Sequence, residues 1–488
     1  MLFNSFEFLL FFPIVTIIYF LLPHKFRWFH LLVASCIFYM YFIPIYILIL
    51  FATIIIDYIA GLIIENAEGK KRKLFLLISI IANVGVLAFF KYYNFFASNI
   101  NQLFHINNLK ANIPLLSIIL PIGLSFHTFQ AMSYTIEVYR KKQKAERHFG
   151  IYALYVMFYP QLVAGPIERP QNILHQFYEK HTFDYNNAVS GLRQMMWGMI
   201  KKVVIADRLA LVTDPIFNNV HQQSGVGLAI GAVFFAFQIF CDFSGYSDIA
   251  IGAARVMGFH LMTNFNKPYH SRSISEFWRR WHISLSTWFR DYLYISLGGN
   301  RVSIPRMYFN LFFVFLVSGF WHGANWTFVI WGALHGFYLI FALLTQKIRK
   351  KVTVKSGISK QRHLNNFIDL TTSFVLVTFA WVFFRANNLK DAFFTVRQFT
   401  DIPGEVLKIF KVKKINFLNL PGIENQLLPC VTVIILLEVA HILQVKYDLE
   451  ATFCKKPALF RWSIYYAGII ALYCFGVYQQ RTFIYFQF

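Results

Sequence analysis

Two histidines in one aromatic-rich stretch are the residues of this chain best suited to chemistry. His282 and His322 each follow a tryptophan directly. The stretch opens SISEFWRRWHISLSTWFRDYLYISLGGNR at Ser273 and closes GFWHGANWTFVIWGALHG at Gly336. Around His322 every neighbour is apolar or small: Ser318, Gly319, Phe320, Trp321, Gly323 and Ala324. An ionisable side chain in a membrane-grade segment costs free energy unless it has a partner and work to do, so it is a candidate functional site. Imidazole is the side chain that takes a proton from a hydroxyl near neutral pH. A core histidine bonded to a backbone carbonyl is the competing reading of His322, and spacing alone leaves both open.

Local signals define the elements that must hold these histidines. Ser273-Ile274-Ser275-Glu276 fits an S-x-x-E capping box, which starts a helix, and Gly298-Gly299 ends it in the left-handed conformation that glycine adopts cheaply. Between them Trp278, Trp281, His282, Leu285, Trp288, Phe289 and Tyr292 recur at three- and four-residue steps, which predicts one aromatic face carrying His282. Arg279, Arg280, Arg290 and Asp291 lie off that face. So many charges suit the cytosolic interface better than the bilayer interior. His322 falls in the turn WHGAN of a hairpin predicted over 307–320 and 326–345. Arg301 and Arg306 precede the hairpin and seven Lys/Arg follow between Lys347 and Arg362, so both ends are rooted in the cytosol and His322 sits at the inner tip. Asn325-Trp326-Thr327 matches a glycosylation sequon, a chance match at that depth.

A third candidate group ends the apolar run 226–241, in CDFSGYSDIAIG. Asp242 and Asp248 there are suited to orienting a histidine, binding a cation, or capping a helix. Capping leads for Asp248, and Asp242 stays open.

The rest of the chain supplies a membrane scaffold. Its 488 residues are 57% hydrophobic and 14% charged, with mean hydropathy +0.49. That is the composition of an all-α polytopic membrane protein with roughly 10–12 spans. Lys+Arg 46 against Asp+Glu 23 gives a net charge of +23. The basic residues cluster in short loops between apolar runs, where they signal topology and contact anionic lipid and not nucleic acid. Five scattered cysteines without C-x-x-C spacing predict neither a disulfide framework nor a metal site. The N-terminus has no basic n-region and reads as a retained first span.

Spans are predicted over 6–22, 29–43, 45–64, 74–97 and 115–138, with basic clusters at His24–Arg27, Lys70–Lys73 and Arg140–Lys144 all on the cytosolic side and a neutral connector, Asn99–Asn112. Pro160, Gly165, Pro166 and Pro170 make residues 149–166 a broken or re-entrant helix, allowed only where protein or a water-filled cavity surrounds it. From 191, Leu192, Met195, Met196, Met199, Ile200, Val203 and Val204 oppose Arg193, Lys201 and Lys202, as on an amphipathic surface helix. A bundle helix with snorkelling lysines is the alternative. Further spans are predicted over 366–384, 428–446 and 462–480. Residues 385–427 then face outside, although Lys408, Lys411, Lys413 and Lys414 break the positive-inside pattern there. The expected organisation is one integral membrane domain over 1–488: N-terminal spans in 1–120, a motif core in 121–336 and C-terminal spans in 366–480. A transporter is the competing class, but it predicts inverted repeats and paired broken helices. The one broken region has no mate.

Together PQLVAGPIERP, CDFSGYSDIAIG, NFNKPY, EFWRRWHISLSTWFRDYLYISLGGNR and GFWHGANWTFVIWGALHG resemble the membrane-bound O-acyltransferases. The nearest branch is the bacterial one that includes the alginate O-acetylation membrane subunit and the D-alanyl transfer protein of teichoic acids. The motifs cover roughly Pro121 to Gly336. Phe126-His127 is a small departure where an aromatic or apolar pair is expected. The resemblance implies a funnel-shaped acyltransferase in the bacterial cytoplasmic membrane, with His322 and His282 at the positions of the family's two motif histidines. It implies an acyl group, acetyl by default, leaving a cytosolic thioester such as acetyl-CoA for an extracytoplasmic polysaccharide, through a partner of the SGNH-hydrolase type and without a tightly bound cofactor or metal. The residue chemistry agrees. Arg279, Arg280 and Arg290 are suited to bidentate contacts with donor phosphates, or equally to lipid head groups. Trp321 and Asn325, with Asp242, are the candidates to line a pocket for the developing oxyanion.

Overall fold

In a bilayer every backbone N–H and C=O must find a partner inside the protein, so long apolar runs become helices. The computed structural model describes residues 1–109, 111–163, 165–411, 424–478 and 483–484, and those residues contain helices and no strands. Among them eight helices are long and apolar enough to cross a membrane. The expected 10–12 spans also counted residues 6–22, 29–43 and 115–138. These form helices of 16, 17 and 16 residues: α1 (Phe6–Leu21), α2 (His24–Met40) and, further on, Leu124–Tyr139. A 16-residue helix is only about 24 Å long against a hydrocarbon core of about 30 Å. The described residues form two compact units, Met1–Gly198 with Tyr246–Thr263, and Met199–Gly245 with Asn264–Phe488.

The first unit contains α1, α2, α3 (Ile47–Asn66), α4 (Gly69–Ile106, with a π-helical stretch at Ala88–Tyr92), α5 (Leu124–Tyr139) and α6 (Phe149–Met157). Ser5 starts α1 by accepting the N–H of Phe8 (3.3 Å). One side of α1 leaves Phe6, Leu9, Ile14, Ile17 and Leu21 exposed, as a lipid-facing surface requires. The basic clusters at His24–Arg27 and Lys70–Lys73 form first turns of α2 and α4, not loops. The connector expected at Asn99–Asn112 is helical to Ile106. The 115–138 span shortens because Pro121 cannot donate a helix hydrogen bond and Gly123 takes φ +78°, so α5 begins at Leu124. Asp57 joins α3 to α4: it accepts from Ser79 (2.6 Å) and Asn83 (2.8 Å).

The break expected within 149–166 is present. α6 stops at Met157, and a single turn, Tyr159–Leu162, restarts around Pro160; Ala164 lies outside the described residues. Residues 150–163 are buried. At the break the carbonyl of Tyr155 accepts the side-chain amides of Gln130 (2.5 Å) and Gln161 (2.7 Å). Protein thus supplies what a broken helix in an apolar medium needs. In the same motif Glu168 is wholly buried and accepts the backbone N–H of Met262 and the Asn172 amide.

The surface helix expected from 191 is different. α7 (Tyr185–Met199) runs into a π-helical segment, Ile200–Ala206, and then α8 (Asp207–Asn218). Leu192 is 50% exposed, while Lys201 and Lys202 are 5% and 2% exposed. In the second unit, Lys202 forms ion pairs with Asp207 (2.9 Å) and Asp242 (2.7 Å), and Lys201 donates to Ser244 (3.0 Å). The lysines point inward because carboxylates and a hydroxyl await them there. The sequence pattern alone has no means of showing this. The wide π turn also leaves the carbonyl of Val203 to accept the N–H of Val477 (3.1 Å). Asp242 and Asp248 both fall inside one unbroken 32-residue helix, α9 (Gly225–Val256), and cap nothing. Asp248 accepts from Gln194 within the first unit (3.1 Å).

Also in the second unit are α10 (Ile274–Arg280), α11 (Ile283–Trp288), α12 (Ile304–His322), α13 (Trp326–Leu344), α14 (Arg362–Arg385), α15 (Glu424–Lys446) and α16 (Ala458–Phe475). The hairpin α12/α13 is tight because two glycines meet at the crossing. A Cβ on Gly319 would lie 2.3 Å from the carbonyl oxygen of Phe328 and 3.0 Å from Cα of Gly332, the small-residue contact that lets membrane helices approach. Lys408 lies in a helix, Ile402–Lys411; Lys413 and Lys414 lie outside the described residues.

Candidate active site

The candidate histidines and arginines, with Trp321, Asn325 and Asp242, belong to the second unit; Asp248 belongs to the first. The capping box at Ser273 forms: Ser273 Oγ accepts the N–H of Glu276 (3.1 Å), and Glu276 accepts the N–H of Arg272 (2.9 Å). The helix it starts is short. α10 ends at Arg280, Trp281 is extended, and His282 adopts φ +43° before α11 begins. A single aromatic face from 278 to 292 therefore does not exist. Asn264 is the cause. Its carbonyl accepts the N–H of Ile283 (2.9 Å), and its side-chain oxygen accepts both the N–H (3.2 Å) and the hydroxyl (2.9 Å) of Ser284. These bonds compete with continuation of the helix. Farther on the π-helical turn Phe289–Tyr294 leads to Gly298 (φ +100°) and Gly299 (φ +58°), the stop that the sequence marked.

The same asparagine orients His282. Its Oδ1 lies 3.1 Å from Nδ1 of the imidazole. An oxygen already accepting from Ser284 requires the proton on Nδ1, which places the lone pair on Nε2. The ring is fully buried and packs edge-on against Phe243 (4.6 Å), and burial pushes its pKa down to about 3. His282 is neutral across the physiological range.

His322 is the last residue of α12 and is 4% exposed. Three aromatic rings surround it at close to right angles, Trp321 (4.9 Å), Trp331 (4.9 Å) and Phe384 (5.4 Å). Trp331 stacks on Trp381 (5.6 Å), and Trp381 packs on Trp281 (5.0 Å), the neighbour of His282. A continuous aromatic wall thus runs from one histidine to the residue beside the other. Asn325 caps α13 by accepting the N–H of Thr327 (3.1 Å), and its amide donates to the carbonyl of Asn387 (3.4 Å). It fixes the turn beside His322. Asp242 is held apart as the partner of Lys202, and its other oxygen accepts the N–H of Ile484 (2.8 Å). A buried, ion-paired carboxylate is an acceptor and does not donate to an oxyanion, so its place in the structure is architectural.

A third histidine joins this cluster, and the sequence reading missed it. His335 on α13 is fully buried, and its Nδ1 accepts from Nε1 of Trp278 (3.2 Å). Its ring also packs against Trp331 (5.0 Å), which touches His322. The signal was available: a histidine in an apolar span, within the motif already quoted.

Next to these residues lies a cavity of about 460 Å³. Arg279 and Arg290, both exposed, contribute to its lining together with Thr287 and Trp278. One wall is a stripe of α12, Leu311, Val314, Phe315 and Ser318, at helical spacing. His322 is the next position of that stripe, one turn beyond Ser318. Arg280 is elsewhere; it pairs with Glu276 at 2.7 Å. Arg290 also contacts Asp291 (2.8 Å).

The model of the membrane-bound O-acyltransferase family matches residues 141–384. A protein of Pseudomonas aeruginosa named as a probable alginate O-acetylase is 40% identical over 396 residues, 80% of this chain and 73% of that one. A peptidoglycan O-acetyltransferase of Helicobacter pylori is 37% identical over 416 residues, 80% of this chain and 76% of that one. A teichoic acid D-alanyltransferase of Streptococcus thermophilus is 30% identical over 256 residues, 49% of this chain and 60% of that one.

Proposed function

The chain belongs to the membrane-bound O-acyltransferase family, and on that premise we propose that it moves acetyl from a cytosolic thioester across the bacterial cytoplasmic membrane to an extracytoplasmic polysaccharide. It is a multi-pass membrane O-acyltransferase. The observation that carries the finer reading is the arginine-edged cavity whose α12 stripe leads to His322. Arg279 and Arg290 hold the phosphates of a donor such as acetyl-CoA. The apolar wall takes the thioester arm. His322 removes the proton from the acceptor hydroxyl as its oxygen attacks the thioester carbonyl, and the thiolate leaves and takes up a proton. His282, neutral and oriented by Asn264, positions the group or shares the proton. Trp321 and the turn held by Asn325 exclude water around the developing oxyanion. The relatives' names, alginate, peptidoglycan and teichoic acid, all point to cell-surface polymers as acceptors. A separate extracytoplasmic partner of the SGNH-hydrolase type completes delivery.

The test uses purified chain in proteoliposomes with acetyl-labelled coenzyme A and a hydroxyl-bearing polysaccharide as acceptor. Thioester cleavage dependent on the chain is expected. In Arg279→Ala and Arg290→Ala the donor KM should rise about tenfold with a smaller fall in kcat, the signature of binding shared by ground and transition states. Arg280→Ala, whose guanidinium is held by Glu276, should leave the donor KM unchanged. An unchanged KM in all three, with lower membrane yield, would make the arginines lipid anchors. An intact thioester would remove the donor assignment.

Sidedness is open to a separate check. The basic segments Lys70–Lys73, Arg140–Lys144 and Lys347–Arg362 are expected to be cytosolic, since each cation gains about 1 kcal/mol at the anionic leaflet. Single cysteines placed there should resist impermeant maleimide in whole cells and react after permeabilisation. Labelling of any one from outside would overturn the orientation and the depth assigned to His322.

A further inference from the structure

Away from the active-site histidines, three metal-ligating side chains of the second unit converge. Glu438 and His441 sit one turn apart on α15, in an apolar helix long enough to span a membrane. His270 ends the short 3-10 turn Pro268–His270, a few residues ahead of α10. Nε2 of His270 lies 2.8 Å from one oxygen of Glu438, and Nδ1 of His441 lies 3.2 Å from the other. The three ligand atoms all lie within 4.8 Å of one another. His441 is 5% exposed and packs edge-on against Phe240 (5.6 Å). Ionisable groups in an apolar span are costly to keep without a role. Glu-x-x-His on one helix presents both side chains to the same point, as in helix-bundle metal sites.

From this geometry we infer that His270, Glu438 and His441 form a binding site for a divalent first-row metal ion, zinc by the character of its donors. Two imidazoles and one carboxylate are a zinc donor set, with the fourth position left for water. Tetrahedral ligands about 2.0–2.1 Å from zinc stand roughly 3.3 Å apart, so a set already within 4.8 Å closes on an ion by small side-chain movements. In the metal-free form each of these ring nitrogens donates its N–H to the carboxylate; binding the ion moves that proton to the other ring nitrogen or to solvent, and the freed lone pair then faces the ion. The bound ion ties α15 to the turn that precedes α10, the helix bearing Arg279. Its role is a clip that holds the donor-binding segment, separate from proton transfer at His322.

The full chain, purified in detergent from zinc-supplemented cells and passed over a chelating resin, is analysed for metal by mass spectrometry. About one zinc per chain is expected, falling to below about a tenth in Glu438→Gln and His441→Ala. Thermal unfolding of the metal-stripped wild type should shift upward on adding zinc, with no shift in Glu438→Gln, which keeps the side chain's size. His270→Ala changes a half-buried side chain at the end of a short 3-10 turn, leaves α15 untouched, and serves if the helix variants fail to fold. Wild-type protein with neither bound metal nor a zinc-induced shift would show instead a carboxylate hydrogen-bonded by two imidazoles, and the inference falls. So it does if folded variants keep their zinc.

Discussion

Replacing His322 with alanine or glutamine is expected to lower acyl transfer about 10²–10⁴-fold, the usual yield of general acid–base catalysis, while the protein still inserts at wild-type level. The effect is local to the chemistry because of where the residue sits. His322 closes α12 and faces three aromatic rings. The close hairpin contact behind it is made by Gly319 and Gly332 and does not depend on the imidazole. Acylation of surface polysaccharide is compared between variant and wild type at matched protein level. Retention above about a tenth of wild type would mean that another group is the base. His282 would then be the next candidate, with its neutral ring and a lone pair on Nε2. His282→Ala itself should be milder in its effect on rate.

The largest stability effect is expected at Lys202, which lies outside the proposed chemistry. Lys202→Met removes the ammonium that neutralises both Asp207 and Asp242. Lys202 and both aspartates are at most 4% exposed, so the carboxylates are left as buried charges without their counter-ion. Breaking such a pair from one side costs about 3–5 kcal/mol. Asp242 also anchors the N–H of Ile484, so that contact should weaken with it. Reversible unfolding in mixed micelles gives the number. Adding Asp242→Asn to Lys202→Met should recover part of the loss, because one uncompensated charge goes with it. A change below about 0.5 kcal/mol would mean that water or lipid head groups already screen these groups.

The sequence by itself determined what is local. Ser273 and Glu276 announce a helix start because a cap needs only neighbours three residues away, and it forms. Gly298 and Gly299 end the segment because positive φ is a property of single residues. Apolar runs become helices because each backbone group finds its partner four residues off, and the prolines around Pro160 break one for the same reason. Histidines in apolar surroundings are legible as candidates, and by its place in an apolar span His335 is one of them.

Tertiary structure decided everything that depends on a partner far along the chain. Asn264 breaks the helix at His282 from 18 residues away and sets that ring's tautomer. Lys201 and Lys202 look like a polar helix face until the groups on α9 turn them into buried partners. Asp242, open to several readings in sequence, is fixed by Lys202. Arg279 and Arg290 edge one cavity while Arg280, between them in sequence, is drawn off by Glu276. Periodicity encodes which residues share a face of one helix, whereas charge pairing and cavity shape depend on which helices become neighbours. Folding makes that choice, because burying an ionisable group is tolerable only where a distant partner meets it.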